Sequence, residues 1–411
     1  MKNERSGRRL TWRASRSKRS GWVAFRPRQE PEGQGEERKV QAASHLRKEV
    51  AIPPDIPIIY AVKLRFWPCD LRLTHRWTIA SRQGADHDRV VIVELTDDEG
   101  LTGLGEAAPS STYGESPESA MAFLRKVNAA DLSFDDLRGS TAYLDTVAPG
   151  ELAARCGLNV ALADGASKRA GKPLCEFLGL GFREGRHLTS FSIGIDSPGM
   201  IRQKTLAATD YPILKLKVGA ARDGENLAAL REVAPAKPVR VDANEAWATR
   251  EEALERIEWL AKDGGIQFVE QPMPAGSEPK DLAWLKGRSP LPIFADESYH
   301  DARDAAKCAE CFHGVNVKLV KTGGVTAAQE ALAAARAAGL KTMIGCMIET
   351  SILITAGAHL AELADYLDLD GNLLITNDPY VGVSADGGVL SFARAPGQVG
   401  LRVAARAEDE G

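Results

Sequence analysis

From His187 onward the chain repeats a rhythm that few architectures can satisfy. Eight short apolar runs follow one another: "LTSFSIGI", "PILKLKVG", "PVRVDANEAW", "IQFVEQPM", "PIFADES", "GVNVKLVKTGG", "KTMIGCMIE" and "YLDLDG". Ala/Leu/Glu-rich stretches such as "TREEALERIEWLAKDG" and "TAAQEALAAARAAGL" lie between them. Near-continuous apolar runs are strands buried on both faces, and strands alternating with helices make parallel βα units. Eight such units predict an α/β fold, a (β/α)8-type barrel over residues 186–375.

The preceding segment has a different pattern. "IIYAVKLRFW" and "RVVIVELTDDEGLTGLGEAAP" read as strands joined by an acidic Gly turn, hence an antiparallel sheet. "GLTGLG" lacks the glycine order and following helix of a dinucleotide loop, so a hairpin is the better reading. Helical patterns run from about Ser116 to Leu180, and one, "ELAARCGLNVALADGASKRAG", stops on glycine. Residues 55–185 are therefore expected to form an α+β N-terminal capping domain, and residues 376–411 to return to it. Residues 1–30 hold ten Lys/Arg against two acids, and the polar composition continues to about residue 50. Residues 1–54 thus have the composition of a basic disordered extension.

Polar residues collect at the C-terminal ends of the barrel strands, where βα loops build active sites. Strand 2 ends in Lys215 and Lys217, strand 3 in Asp242 and Asn244, and strand 4 in Glu270. Strand 5 ends in Asp296 and Glu297, strand 6 in Lys318, and strand 8 in Asp368 and Asp370. Asp242, Glu270 and Asp296 form an all-oxygen trio that suits Mg²⁺, with Mn²⁺ as the alternative, one ion per active site. Converging carboxylates without a cation would repel one another and take up protons. Lys217 and Lys318 are expected to face each other across that trio. One neutral lysine can remove an α-proton while the other, as ammonium, donates to the opposite face, with the cation stabilising the enediolate. Lys215 beside Lys217 is expected to lower the pKa of the base. Two-sided proton transfer implies racemisation or epimerisation.

The motifs "KLKVG", "VDANEAW", "VEQPMP", "ADES", "VNVKLVKTGG" and "GCMIETS", in that order, together with "GLGEAAPSSTYGES", resemble the enolase superfamily, and within it the muconate-lactonizing-enzyme-like subgroup. The resemblance spans roughly residues 57–400. It implies metal ligation by Asp242, Glu270 and Asp296 and an acid/base pair of Lys217 and Lys318. The D-x-D of "YLDLDG" resembles that of dipeptide epimerases, in which the two carboxylates, here Asp368 and Asp370, receive the substrate ammonium. The likeness extends to the L-Ala-D/L-Glu epimerase type, in which an arginine at the position of Arg82 meets the substrate side chain. Lys215 completes the substrate-binding set. The segment "SRQ" departs from the usual "ARG" or "SRG" there.

Other readings meet obstacles in the same residues. "KTMIGCMIETS" carries no histidine, against dehydration by a strand-7 histidine base. o-Succinylbenzoate synthase, cycloisomerase and N-acylamino acid racemase share the two lysines but present no ammonium to an aspartate pair. The N-terminal arm, with Trp12, Trp22 and Phe25 among its arginines, offers nucleic-acid binding as a non-enzymatic alternative, which the acid and lysine set disfavours. No apolar run approaches the roughly eighteen residues of a membrane span. Six scattered cysteines fit reduced thiols in the cytoplasm, and "CAEC" has no partner pair for zinc. The resemblance implies a small dipeptide as partner and murein peptides as its metabolic source, with a homo-oligomer left open.

Overall fold

The computed structural model describes residues 62–407, except for the side chains of Arg82 and Gln83. The basic extension of residues 1–54 lies outside the described residues. Strands β1 (Val62–Ile79), β2 (Arg82–Asp97) and β3 (Thr102–Ala107) form an antiparallel sheet in the order β1-β2-β3. Helix α1 (Pro117–Leu124) starts with a reciprocal capping box between Ser116 and Ser119, followed by proline in its first turn. Helices α2 (Leu137–Val147) and α3 (Leu152–Arg169) follow. The N-terminus of α3 is capped from outside: the Glu115 carboxylate accepts from the backbone N–H groups of Leu152 (2.5 Å) and Ala153 (3.2 Å).

α3 lies directly on β3 because two glycines remove the side chains that would separate them. A Cβ on Gly103 would stand 2.0 Å from the carbonyl oxygen of Ala161, and one on Gly105 would stand 2.0 Å from that of Gly157. The "GLTGLG" run is therefore a helix-packing surface.

The barrel strands are β4 (Phe191–Ile193), β5 (Leu214–Lys217), β6 (Val239–Asp242), β7 (Ile266–Glu270), β8 (Ile293–Ala295), β9 (Gly314–Lys318), β10 (Lys341–Gly345) and β11 (Tyr366–Asp368). They pair in parallel in sequence order. A parallel bridge between Thr189 and Leu367 brings the first and last strands together, closing the ring as the strand–helix alternation predicted. Alternate residues point inward. On β6 and β7 they are Arg240 and Phe268 at the lower level, then Asp242 and Glu270 above. The floor is aromatic: Phe268 stacks on Phe294 at 4.2 Å between centroids, and the Arg240 guanidinium lies 5.2 Å from the Tyr366 ring. The carboxylates and lysines thus stand above a largely aromatic floor that holds one buried guanidinium, Arg240.

The C-terminal segment runs back to α3, where the Asp164 carboxylate accepts from the backbone N–H of Leu401 (2.7 Å). Among the described residues no helix is long and apolar enough to cross a membrane.

Because the Gly105 contact is backbone against a side chain that has no other place to go, Gly105→Ala should destabilise the fold by about 2 kcal/mol or more in urea unfolding. An unchanged midpoint would show that α3 can move away from the sheet without loss.

Candidate active site

The strand register brings the polar residues into one ring. Lys217 pairs with Asp242, and Asp242 with Glu270, across β5, β6 and β7. On the other side Lys318 pairs with Gly345, and Gly345 with Asp368, across β9, β10 and β11. β5 and β9 are four strands apart in the eight-strand order, so Lys217 and Lys318 rise from opposite walls. Both line a cavity under the N-terminal domain that, counted out to its open mouth, holds about 890 Å³. Lys215, Asn244, Glu297, Asp368 and Asp370 line it too, with Trp77, Ile79, Tyr113, Met347 and Ile348 supplying its upper walls.

Asp242, Glu270 and Asp296 offer carboxylate oxygens within 4.8 Å of one another, and all three side chains are fully buried. Asp296 stands just past β8, one position beyond the strand, not within it. Lysine ammoniums converge on the trio. Lys217 Nζ is 2.6 Å from Asp242 Oδ2, and Lys318 Nζ is 2.7 Å from Asp296 Oδ2. Lys215 Nζ bridges Asp242 (3.1 Å), Glu270 (2.7 Å) and Asp368 (2.7 Å). Glu270 Oε2 and Asp296 Oδ2 have these charged neighbours but no hydrogen bond of proper geometry. Three buried hard oxygen donors of this kind fit a Mg²⁺-type cation and not zinc.

The electrostatics follow from burial set against the lysines. Burial opposes the charge on Asp242, yet Lys217 and Lys215 outweigh it and bring its pKa down to about 2. Glu270, pushed up by burial and by Asp242, titrates near 7, and Glu297, pushed up by burial and by Asp296, near 8. Lys318 is governed by the same balance. Burial does work against its charge, but Asp296 at 2.7 Å reverses the balance and holds the ammonium well above the ordinary lysine value. Lys215 is held up in the same way, against burial, by Asp368, Glu270 and Asp242.

Asp368 ends β11 and accepts from Ser190 Oγ (2.6 Å) as well as from Lys215. Asp370 lies beyond the strand, where its Oδ2 accepts from the Ser192 backbone N–H (2.6 Å). Both face the cavity, but they do so from a strand end and a loop instead of from two positions of one strand. Burial, then Asp368, raise Asp370 to about 7. Arg82 opens β2 opposite Ile79 at the hairpin; its side chain lies outside the described residues. Cys308 and Cys311 are buried on the helix Ala305–Cys311.

Asn244 was named from the sequence only as a polar strand end, and the other contributors that follow were given no role there. Asn244 accepts from Lys217 Nζ (3.1 Å), and its left-handed backbone (φ 42°) lets its N–H reach Asp242 Oδ1 (2.9 Å). Asn316 Nδ2 donates to Glu270 Oε1 (2.7 Å). It has room because Gly345 is opposite, where a Cβ would meet Asn316 Oδ1 at 2.6 Å. Lys321 Nζ donates to Asp296 Oδ1 (2.5 Å). Glu106 of β3 accepts from Thr350 N (3.0 Å) and Oγ1 (2.5 Å), tying the Met347–Ile348 wall to the N-terminal domain. Asn316 carried a signal: it stands two residues before Lys318 in an apolar run, and so on the same face.

The chain matches the mandelate racemase / muconate lactonizing enzyme N-terminal domain over residues 70–179 and the enolase C-terminal domain-like family over residues 200–377. It is 63% identical over 347 residues to the L-Ala-D/L-amino acid epimerase of Pedosphaera parvula (strain Ellin514), a match covering 84% of this chain and 100% of that protein. The chain belongs to the enolase superfamily. Its fold matches that of the substrate-liganded L-Ala-D/L-Glu epimerase from Bacillus subtilis with a TM-score of 0.78 at 28% identity, over 85% of this chain and 99% of that one. The dipeptide epimerase from Cytophaga hutchinsonii, complexed with Mg and D-Ala-L-Val, gives a TM-score of 0.78 at 26% identity over 86% and 97%. The superfamily resemblance and the barrel-plus-cap fold expected from the sequence are both borne out.

The raised acids have a measurable consequence. Glu270, Glu297, Glu349, Asp370 and Glu106 hold their protons to about 7 or 8 in the fold, whereas acids in the unfolded chain release them near 4. Between those limits the unfolded state binds fewer protons, so stability falls as pH rises. Asp242, which is depressed, acts only below that window. In chelator-treated protein the thermal midpoint should therefore drop between pH 5 and pH 8. A midpoint that rises over this interval would contradict the charge balance described.

Proposed function

We propose that this protein is a magnesium-dependent dipeptide epimerase of the L-Ala-D/L-Glu type, inverting the α-carbon of the C-terminal residue. The observation that carries the reading is the placement of Lys217 and Lys318 on opposite walls of one cavity, each ion-paired to a member of a buried cluster of three carboxylates. A Mg²⁺ ion held by Asp242, Glu270 and Asp296 would supply positive charge to stabilise the substrate carboxylate as it takes on enediolate character.

The chain's own groups supply the remaining steps. One lysine, in its neutral form, takes the α-proton as the C–H bond breaks. The ammonium on the opposite wall then donates a proton to the other face of the same carbon, giving the inverted centre. Each lysine ends in the protonation state from which the reverse reaction starts. Asn244 and Asp242 hold Lys217, and Asp296 holds Lys318. Asp368 and Asp370 give the far end of the cavity an acidic lining suited to the ammonium of a free dipeptide, a group that an acylated amino acid lacks. That difference favours dipeptide epimerisation over N-acylamino acid racemisation. Arg82 is assigned to the substrate's side chain, and Lys215 to keeping the acidic pair and the trio in register. We also propose, from the family resemblance alone, that the activity serves cytoplasmic processing of murein peptides.

In D₂O with Mg²⁺, L-Ala-L-Glu should lose its C-terminal α-proton signal while the second diastereomer grows, followed by NMR. A broad dipeptide panel showing neither would remove the assignment. Lys217→Ala and Lys318→Ala should each reduce epimerisation by about 10³-fold or more, and a variant retaining near-parental turnover would remove that lysine from the chemistry. Asp368→Asn should raise KM by roughly tenfold with a smaller effect on kcat, since it weakens attraction for the ammonium. Unchanged kinetics would detach Asp368 from substrate binding.

A further inference from the structure

Each carboxylate of the trio has one oxygen fixed by a donor that belongs to neither proton-transfer lysine. Asp242 Oδ1 accepts from the Asn244 backbone N–H at 2.9 Å, Glu270 Oε1 from Asn316 Nδ2 at 2.7 Å, and Asp296 Oδ1 from Lys321 Nζ at 2.5 Å. The second oxygens, Asp242 Oδ2, Glu270 Oε2 and Asp296 Oδ2, are the ones that face the amines of Lys215, Lys217 and Lys318.

The two outer donors are themselves firmly seated. Lys321 is fully buried and also donates to the carbonyl oxygens of Asp296 (2.5 Å) and Asn316 (3.0 Å). Asn316 is fully buried and backed by Gly345, the one residue whose lack of Cβ leaves room for its amide. Turning either carboxylate to present both oxygens would therefore strand a buried donor, and an unpaired buried donor is costly.

We infer that Asn316 and Lys321 are positioning residues for ion selectivity: they restrict the trio to one oxygen per carboxylate and so discriminate against Ca²⁺. The inference rests on the magnesium reading of the site. Mg²⁺ takes six ligands at about 2.0–2.1 Å, and three single oxygens leave half of its octahedron for water and substrate. Ca²⁺ prefers six to eight oxygens at about 2.3–2.6 Å and gains from bidentate carboxylates, which these locks forbid.

Titration calorimetry of chelator-treated protein with MgCl₂ and with CaCl₂ tests this without any measurement of turnover. Lys321→Met removes a charge together with a lock, whereas Asn316→Leu removes a lock at constant charge, so only an effect of the locks is common to both. The ratio Kd(Ca)/Kd(Mg) should fall roughly tenfold or more in each variant, the scale on which groups behind metal ligands act. Circular dichroism serves as the control for folding, and if Lys321→Met does not fold, Asn316→Leu carries the test alone. A ratio within about twofold of the parent, even if both affinities change together, would overturn the inference. A parent chain that binds no Mg²⁺ would instead overturn the reading of the site, and this inference with it.

Discussion

The charge balance at the barrel mouth governs the rest of the molecule. Asp242, Glu270 and Asp296 are fully buried within a few ångströms of one another, and burial alone would force protons onto them. Lysine ammoniums prevent this at Asp242 and Asp296, whose pKa values are lowered, but not at Glu270. An assembly of that kind is a poor source of stability, since desolvating each ion costs several kcal/mol. Its retention in an otherwise apolar barrel is best understood through the cation and substrate it can receive.

The fold is arranged around this cost. Below the charged layer the barrel is filled by Phe268, Phe294, Met343 and Tyr366, with Arg240 reaching between them to the Leu367 carbonyl. Above it the N-terminal sheet lines the cavity through Trp77, Ile79 and Val90, and glycines on β3 let α3 pack directly on that sheet. Glu106, from that same strand, binds the loop after β10 and so links the packing of the domain to the cavity wall. The N-terminal domain therefore shapes the site as well as covering it.

Much of this was legible in the sequence because parallel strands covered on both faces are written as bare apolar runs, and a charge at the end of such a run stands out. "KLKVG", "VRVDAN" and "FVEQP" mark their strand ends in this way. The residues that were not legible depend on closure of the ring. Asn316 matters because β9 lies two strands from β7, and Lys321 because a short helical turn folds it back under Asp296. Neither adjacency is local in sequence. Lys318 shows the same limit: Asp296, which raises its pKa, is brought in from the neighbouring strand. Asp370 differs from expectation for a local reason, since β11 ends at Asp368 and the chain turns before the second carboxylate.

Two amines serving opposite faces of one carbon is the claim on which the chemistry stands, and isotope exchange in single-lysine variants tests it most directly. With Lys217→Ala and Lys318→Ala incubated separately in D₂O with each diastereomer of the dipeptide, the remaining lysine should wash the α-proton out of one diastereomer only. The two variants should select opposite ones. If both variants exchange the same diastereomer, or either still interconverts the pair, the two lysines do not face each other across the substrate.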